Sequence, residues 1–353
     1  MPPTIGIFPA AGGIGGSTVK HLLQKLRLPT GDRHEQLVLI ARHPETQLLV
    51  EAAKAGATIR RADYDDDRSL ERAFGGIDAL FLISYASVEH GYRTEVCILF
   101  SSLLKLCLHT WQHSTLKLTM QRHLAAIDNA INQGVKYIFY ASLGFAGNVD
   151  NKETVALVMR PHIDTEKYLD ECTRRYPGFS YTIIREGLYA ESYPVYMAFF
   201  SLDDEDDEEE EIKIPHDGSG PGIAWVKRDE LGEGSAEILR RFVSSDRSAF
   251  EKEFKNRTVL LSGPRALSLN ETVEILARKR SRPIRIRQVS GEEFAEQPRV
   301  GSSRFVHRGV DYAREWETVF EGIRRGECAV VSPLLGELLG REPEGFEEAI
   351  TQQ

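Results

Sequence analysis

The stretch "TIGIFPAAGGIGGSTVKHLLQKL", residues 4–26, constrains the fold of this chain more than any other. It reads as a short buried strand (Ile5–Phe8), a turn of small residues, and an amphipathic helix on which Val19, Leu22, Leu23 and Leu26 recur at helical spacing. Gly12, Gly13, Gly15 and Gly16 fall between strand and helix. Without side chains, this backbone can approach a ligand closely, and the new helix offers free N–H groups and the positive end of its dipole. A pyrophosphate suits such a place. A glycine-rich turn alone serves equally well as a tight structural turn; the strand before it and the helix after it favour the phosphate reading. Gly12, Gly13, Ile14 and Gly15 are the candidate contacts.

The next strand, "LVLIARHP", refines the ligand. Where a unit that binds NAD usually carries Asp or Glu for the ribose hydroxyls, this strand ends in Arg42, followed by His43. An arginine there can pair with a 2′-phosphate, which points to NADP(H); the plainer alternative is a surface arginine. The alternation then continues through "ATIRRADYDD", "SLERAFGGI", "DALFLIS", "RHLAAIDNAINQG", "VKYIFYASLGF", "HIDTEKYLDECTRRY" and "SYTIIREGLYAES". Strands alternating with helices predict an α/β fold, a Rossmann doubly wound parallel sheet with its ligand at the carboxyl ends of the strands. Asp63, Ser84, Tyr85, Ser142 and Tyr189 occupy those ends. Asp63 is expected near the adenine, Ser84 and Tyr85 at the nicotinamide ribose, and Ser142 near the nicotinamide end of the cofactor.

Composition removes other classes. The 353 residues are 41% hydrophobic and 27% charged, as in ordinary globular proteins. A net charge of −9 argues against a general nucleic-acid binder. Cys97, Cys107, Cys172 and Cys328 show no CxxC spacing and no disulfide framework, so a reducing compartment is expected. No apolar run reaches the roughly 18 residues of a spanning helix. The N-terminus enters a strand at once, with no room for a signal peptide. A cytoplasmic protein that does not engage membranes is the expectation.

By these motifs the chain resembles the fungal members of the NmrA-like family, a branch of the atypical short-chain dehydrogenase/reductases. "FPAAGGIGG" is similar to that family's TGATGxLG loop, with Pro9 in place of the first glycine. "INQGVKYIFYASLGF" is similar to its AGVKHIVYxS strand, "FSYTIIREGLYAES" to YTILRPGFFMEN, and "LLGREPEGFEEAI" to LLGRxPxxFEE. The resemblance implies NADP(H) binding and a smaller C-terminal substrate region. It also implies either a reductase, often in secondary metabolism or quinone reduction, or a redox-sensing regulator that binds NADP and a protein partner without turnover. Short-chain dehydrogenases usually carry Tyr-xxx-Lys, the lysine acidifying the tyrosine. No tyrosine here has a lysine four residues on. Tyr85, Ser142, His162 and Tyr189 are the substitute candidates for catalysis, His162 because a histidine can supply a proton near neutral pH; a packing histidine fits the pattern equally well.

One segment breaks the rhythm. Val96–Gln121, "VCILFSSLLKLCLHTWQHSTLKLTMQ", follows no clean period, and its removal leaves a continuous loop–helix–strand unit. "VC" can be encoded GTATGT and "LTMQ" CTGACNATGCAG, a donor, a branch-point-like string and an acceptor of the fungal intron type. We therefore read it as a retained intron, with a substrate lid as the alternative. Its apolar stretch "CILFSSLLKLCL" is too short for a membrane anchor, and Cys97, Cys107, His109 and His113 lack the close pairing of a metal site, so no metal is expected.

Residues 1–186 are assigned to the nucleotide-binding domain, and 187–353 to a smaller, interleaved α/β substrate region. "DDEDDEEEE", residues 203–211, reads as a solvated loop, and "SLNETVEILARKR" as a helix opened by a Ser268/Glu271 capping box. His216, Trp225 and Lys227 are possible ligand contacts, whereas Trp316 and Phe320, four apart, suit a core. The expected activity is NADP(H)-dependent reduction of a small carbonyl, quinone or imine.

Overall fold

The apolar runs of the first half become strands buried along their length, as a parallel sheet covered on both faces requires. The computed structural model describes residues 3–26, 37–84, 115–204, 209–244, 246–301, 306–307, 310–311 and 313–351. The first elements are β1 (Ile5–Phe8), α1 (Gly13–Lys25), β2 (Leu37–Ala41), α2 (Gln47–Lys54), β3 (Thr58–Arg61), α3 (Asp67–Phe74) and β4 (Ala79–Ile83). They are followed by α4 (Thr115–Asn132), β5 (Tyr137–Leu143), α5 (Arg160–Arg175) and β6 (Ser180–Glu186). The C-terminal half adds α6 (Tyr193–Tyr196), β7 (Glu211–Ile214), α7 (Arg228–Val243), α8 (Arg247–Phe254), β8 (Arg257–Leu261), α9 (Leu269–Arg280) and β9 (Arg285–Gln288), then further short elements.

The main sheet has seven parallel strands in the order β3-β2-β1-β4-β5-β6-β8. Chain order reverses between β1 and β4, so a crevice opens there at the carboxyl edge. One face carries Ile7, Leu39, Phe81, Phe139 and Ile184 against the layer of α1, α7 and α8. The other carries Ile40, Leu80, Ile138, Tyr140 and Ile183, packed with Leu70, Ile127 and Leu169 from α3, α4 and α5.

The two halves interleave. β8 pairs with β6, and α7 lies on α1. A Cβ on Gly232 would sit 2.1 Å from Ser17 Oγ, so the glycine permits this close crossing. The Ser17 hydroxyl donates to Asp229 Oδ1 at 2.7 Å, tying the nucleotide-binding helix to the C-terminal half. A separate core around Trp225, Tyr196, Trp316, Phe320 and Phe346 supports the small parallel pair β7–β9.

The acidic run differs from the expected loop at its end. Glu211 begins β7, because Arg285 and Arg287 on the neighbouring strand neutralise it. Residues 205–208 lie outside the described residues. Ser268 and Glu271 form the full capping box. Of the irregular segment, Thr115–Gln121 belong to the first turns of α4 and residues 96–114 lie outside the described residues. The flanking strands β4 and β5 pair without interruption from Ala79↔Tyr137 to Ile83↔Ala141.

Candidate active site

The crevice begins at the glycine turn. Gly12 (φ 76°) and Gly13 (φ 48°) hold left-handed backbone conformations, are exposed, and have nothing within 4 Å of where a Cβ would stand. Gly15 serves differently: its Cβ would lie 2.0 Å from the Pro9 carbonyl oxygen, so only glycine lets α1 start this close to β1. The Phe8–Pro9 peptide is cis. No side chain caps α1 and no acidic residue stands in its first turn. The N–H groups at the start of α1 and the positive dipole end thus face the crevice mouth unneutralised, the arrangement an anionic pyrophosphate needs.

The other predicted residues line the same edge in strand order. Asp63 follows β3 and accepts the Asp65 N–H on Oδ1 at 3.0 Å. Arg42 follows β2 and is exposed. Ser84 follows β4, half-buried. Tyr85 lies outside the described residues. The topology brings Arg42, the glycine turn and Ser84 to neighbouring strand ends.

Ser142 and His162 occupy surroundings that the sequence did not reveal. Ser142, on β5, is 1% exposed, and its hydroxyl donates to Glu166 Oε1 at 2.7 Å. Glu166 is also held by Arg185 through Nε at 2.9 Å and Nη2 at 2.7 Å, and by Lys152 at 3.4 Å. Arg185 donates onward to the carbonyls of Asn148 and Asn151, at 3.1 and 2.7 Å. This fully buried ion pair locks the ends of β5 and β6 and the following loop into one wall. Ser142's proton is committed to that wall.

His162 is corrected. It sits inside α5, with Nδ1 3.3 Å from the Tyr140 hydroxyl and its ring 5.8 Å from that of His123. Burial strips hydration from the charged form and pushes the imidazole down to about 4. Burial thus favours the neutral imidazole, in keeping with the packing-histidine alternative. Its neighbour His123 is depressed by burial and then by His162. In the C-terminal half, Trp225 and His216 are packed inside, Trp225 Nε1 donating to Thr272 at 3.1 Å, and Lys227 pairs with Glu344 at 2.7 Å. Trp316 and Phe320 are core residues.

Glu166, Arg185 and Glu186 were missed. The signal was present in "YTIIREG": two charged residues closing an apolar strand are costly unless paired. No group of three or more His, Cys, Asp or Glu side chains among the described residues is placed to hold a metal, and no described helix is long and apolar enough to cross a membrane.

The parallel sheet with its switch point at β1 and β4, and the glycine turn opening α1, define a Rossmann-type α/β protein. The chain belongs to the NmrA-like family, whose model matches residues 1–312. It is 25% identical to an NmrA-like family domain-containing oxidoreductase, flvB, of Aspergillus flavus, over 97% of this chain and 92% of the relative. Quinone oxidoreductase 2 of Escherichia coli is 27% identical over 82% of this chain and 79% of its own. The fold superposes on that of the E. coli NADPH-dependent quinone oxidoreductase QOR2 complexed with NADPH, with TM-score 0.67, 23% identity and 99% of each chain covered. It also superposes on a Citrobacter sp. triphenylmethane reductase complexed with NADP(H), with TM-score 0.68, 22% identity and 99% of each chain covered.

Proposed function

We propose that this chain is an NADP(H)-dependent oxidoreductase that reduces a small carbonyl, quinone or imine. The observation that carries the reading is the acid-free, glycine-built start of α1 at the switch point, with Arg42 rather than a carboxylate ending the next strand. Gly12, Gly13, Ile14 and Gly15 would hold the pyrophosphate and Arg42 the 2′-phosphate. Asp63 would lie toward the adenine, Ser84 and Tyr85 toward the nicotinamide ribose, and Ser142 toward the nicotinamide end of the cofactor. Bound NADPH supplies a hydride; the protein supplies the binding edge, the rigid wall of Ser142, Glu166 and Arg185, and exclusion of water. The names of the relatives, an oxidoreductase and a quinone oxidoreductase, support this assignment. The test is NADPH consumption by the purified protein across a panel of quinones, ketones and iminium ions. Acceptor-dependent oxidation supports the enzyme. Tight NADPH binding with no consumption across the panel would instead support a sensor that engages a protein partner.

A further inference from the structure

Glu186 stands where β6 runs out at the carboxyl edge, in register with Leu143 of β5 and Leu261 of β8. It is 2% exposed. Oε2 accepts the Tyr189 hydroxyl at 3.1 Å, and Oε1 is buried with no hydrogen-bond partner among the described residues. An ionised carboxylate so placed would keep a full charge on one hydrogen bond, so burial favours the neutral acid and pushes this carboxyl up to about 8. Tyr189 is half-buried, lies three residues past β6, bridges Val226 and packs against the large core cluster on the α1–α7 face of the sheet. A carboxylic acid is therefore joined by one hydrogen bond to the hydroxyl of a half-buried tyrosine at the carboxyl edge of the sheet, the edge on which the crevice opens. The Tyr-xxx-Lys pair that would otherwise supply a proton there is missing from the sequence.

We propose that Tyr189 and Glu186 form the proton relay of this crevice, which makes acceptors with a carbonyl or quinone oxygen its substrate class. The relay rests on the oxidoreductase reading above. For a carbonyl, the hydride supplied by bound NADPH forms the new C–H bond, and the C=O π pair moves to oxygen. With Glu186 protonated, its O–H turns to the Tyr189 oxygen, reversing the bond seen at 3.1 Å and freeing the Tyr189 hydroxyl for substrate. The substrate oxygen takes the Tyr189 proton, the Tyr189 oxygen takes the proton held by Glu186, and solvent reprotonates the Glu186 carboxylate. One NADPH and one proton are consumed for each alcohol formed. A quinone balances in the same way, with one hydride and one proton giving the hydroquinone. Tyr189 transmits rather than stores the proton: burial, and then Glu186 beside it, hold its phenol above the ordinary value. The other groups acting on the pair are Arg228 and Tyr196, which Tyr189 feels, and Tyr140, which feels Glu186. Glu186 is the positioning residue and Tyr189 the group that meets substrate.

The experiment uses the full chain with saturating NADPH and 1,4-benzoquinone, comparing wild type, Glu186→Gln and Tyr189→Phe. Both variants are expected to bind NADPH as wild type does and to lose kcat by about 100-fold, the usual scale for a general acid. The wild-type rate should fall as pH rises through about 8, the protonated carboxyl being the working form, and Glu186→Gln should lack that limb. Without any acceptor, the infrared C=O band of a protonated carboxyl should be present in the wild type at pH 7 and absent from Glu186→Gln. An active wild type whose Glu186→Gln variant keeps both its rate and its pH profile overturns the relay, as does a missing carboxyl band. A wild type that binds NADPH and reduces neither benzoquinone nor any ketone overturns the oxidoreductase reading, and the relay with it.

Discussion

Replacing Glu166 by Gln tests the wall that shapes the crevice. The change removes the carboxylate that faces the Arg185 guanidinium, whose side chain is fully buried, and turns an acceptor toward donors at 2.9 and 2.7 Å into an amide. Leaving a buried charge uncompensated costs about 3–5 kcal/mol. Arg185→Met is milder, because Glu166 keeps Ser142 at 2.7 Å and the partly exposed Lys152 at 3.4 Å. One partner of a buried pair is still lost there, so the cost should lie near the lower end of the same range, about 3 kcal/mol. The pair Glu166→Gln with Arg185→Met removes both charges, so its cost should fall well short of the sum of the single changes. Guanidinium unfolding followed by circular dichroism at pH 7, on all four proteins, provides the cycle. If Glu166→Gln unfolds within about 1 kcal/mol of wild type, or if the costs simply add, the wall is not held as described.

Other perturbations follow from the same geometry. Gly15→Ala drives a methyl to 2.0 Å from the Pro9 carbonyl and should cost about 1–3 kcal/mol of stability, with NADPH binding weakened; thermal unfolding and fluorescence titration check both. His162 is depressed to about 4 in the folded chain, so the unfolded chain binds the extra proton between roughly pH 6.5 and 4. Stability should therefore be lost as pH falls through that window, by about 3 kcal/mol from this residue. The difference in urea midpoint between wild type and His162→Asn should track pH accordingly, and a flat difference contradicts the burial argument. Deleting Val96–Gln121 shortens α4 to Arg122–Asn132 but leaves the β4–β5 pairing, so the shortened chain should still fold and bind NADPH; loss of binding would make the segment part of the site.

The fold was legible where local pattern and burial agree. The strand–glycine–helix opening, the apolar runs of β2, β4, β5 and β6, and the capping box at Ser268 all follow from short-range rules, and each element stands where those rules place it. The place of Arg42 just past β2 could be read because it depends only on where that strand ends. The wall could not. Arg185 meets Glu166 nineteen residues away on another element, and that pairing follows from α5 crossing the sheet. His162 was a candidate acid because an ordinary histidine titrates near neutral pH, whereas Tyr140 and His123, brought in by β5 and α4, pack around it and shield it from water. Glu211 seemed part of a repulsive run because Arg285, seventy-four residues on, is not visible locally.

The most direct test of the central claim is a fluorescence titration of the purified chain with NADPH and with NADH, repeated on Arg42→Ala. The account predicts tighter binding of NADPH than of NADH by wild type. It predicts about a tenfold loss for NADPH in the variant, the scale of one exposed charge-assisted contact, with NADH unchanged. Equal affinity for the two cofactors, or an Arg42→Ala variant that still prefers NADPH, would contradict the assignment of the crevice; no binding of either would remove it.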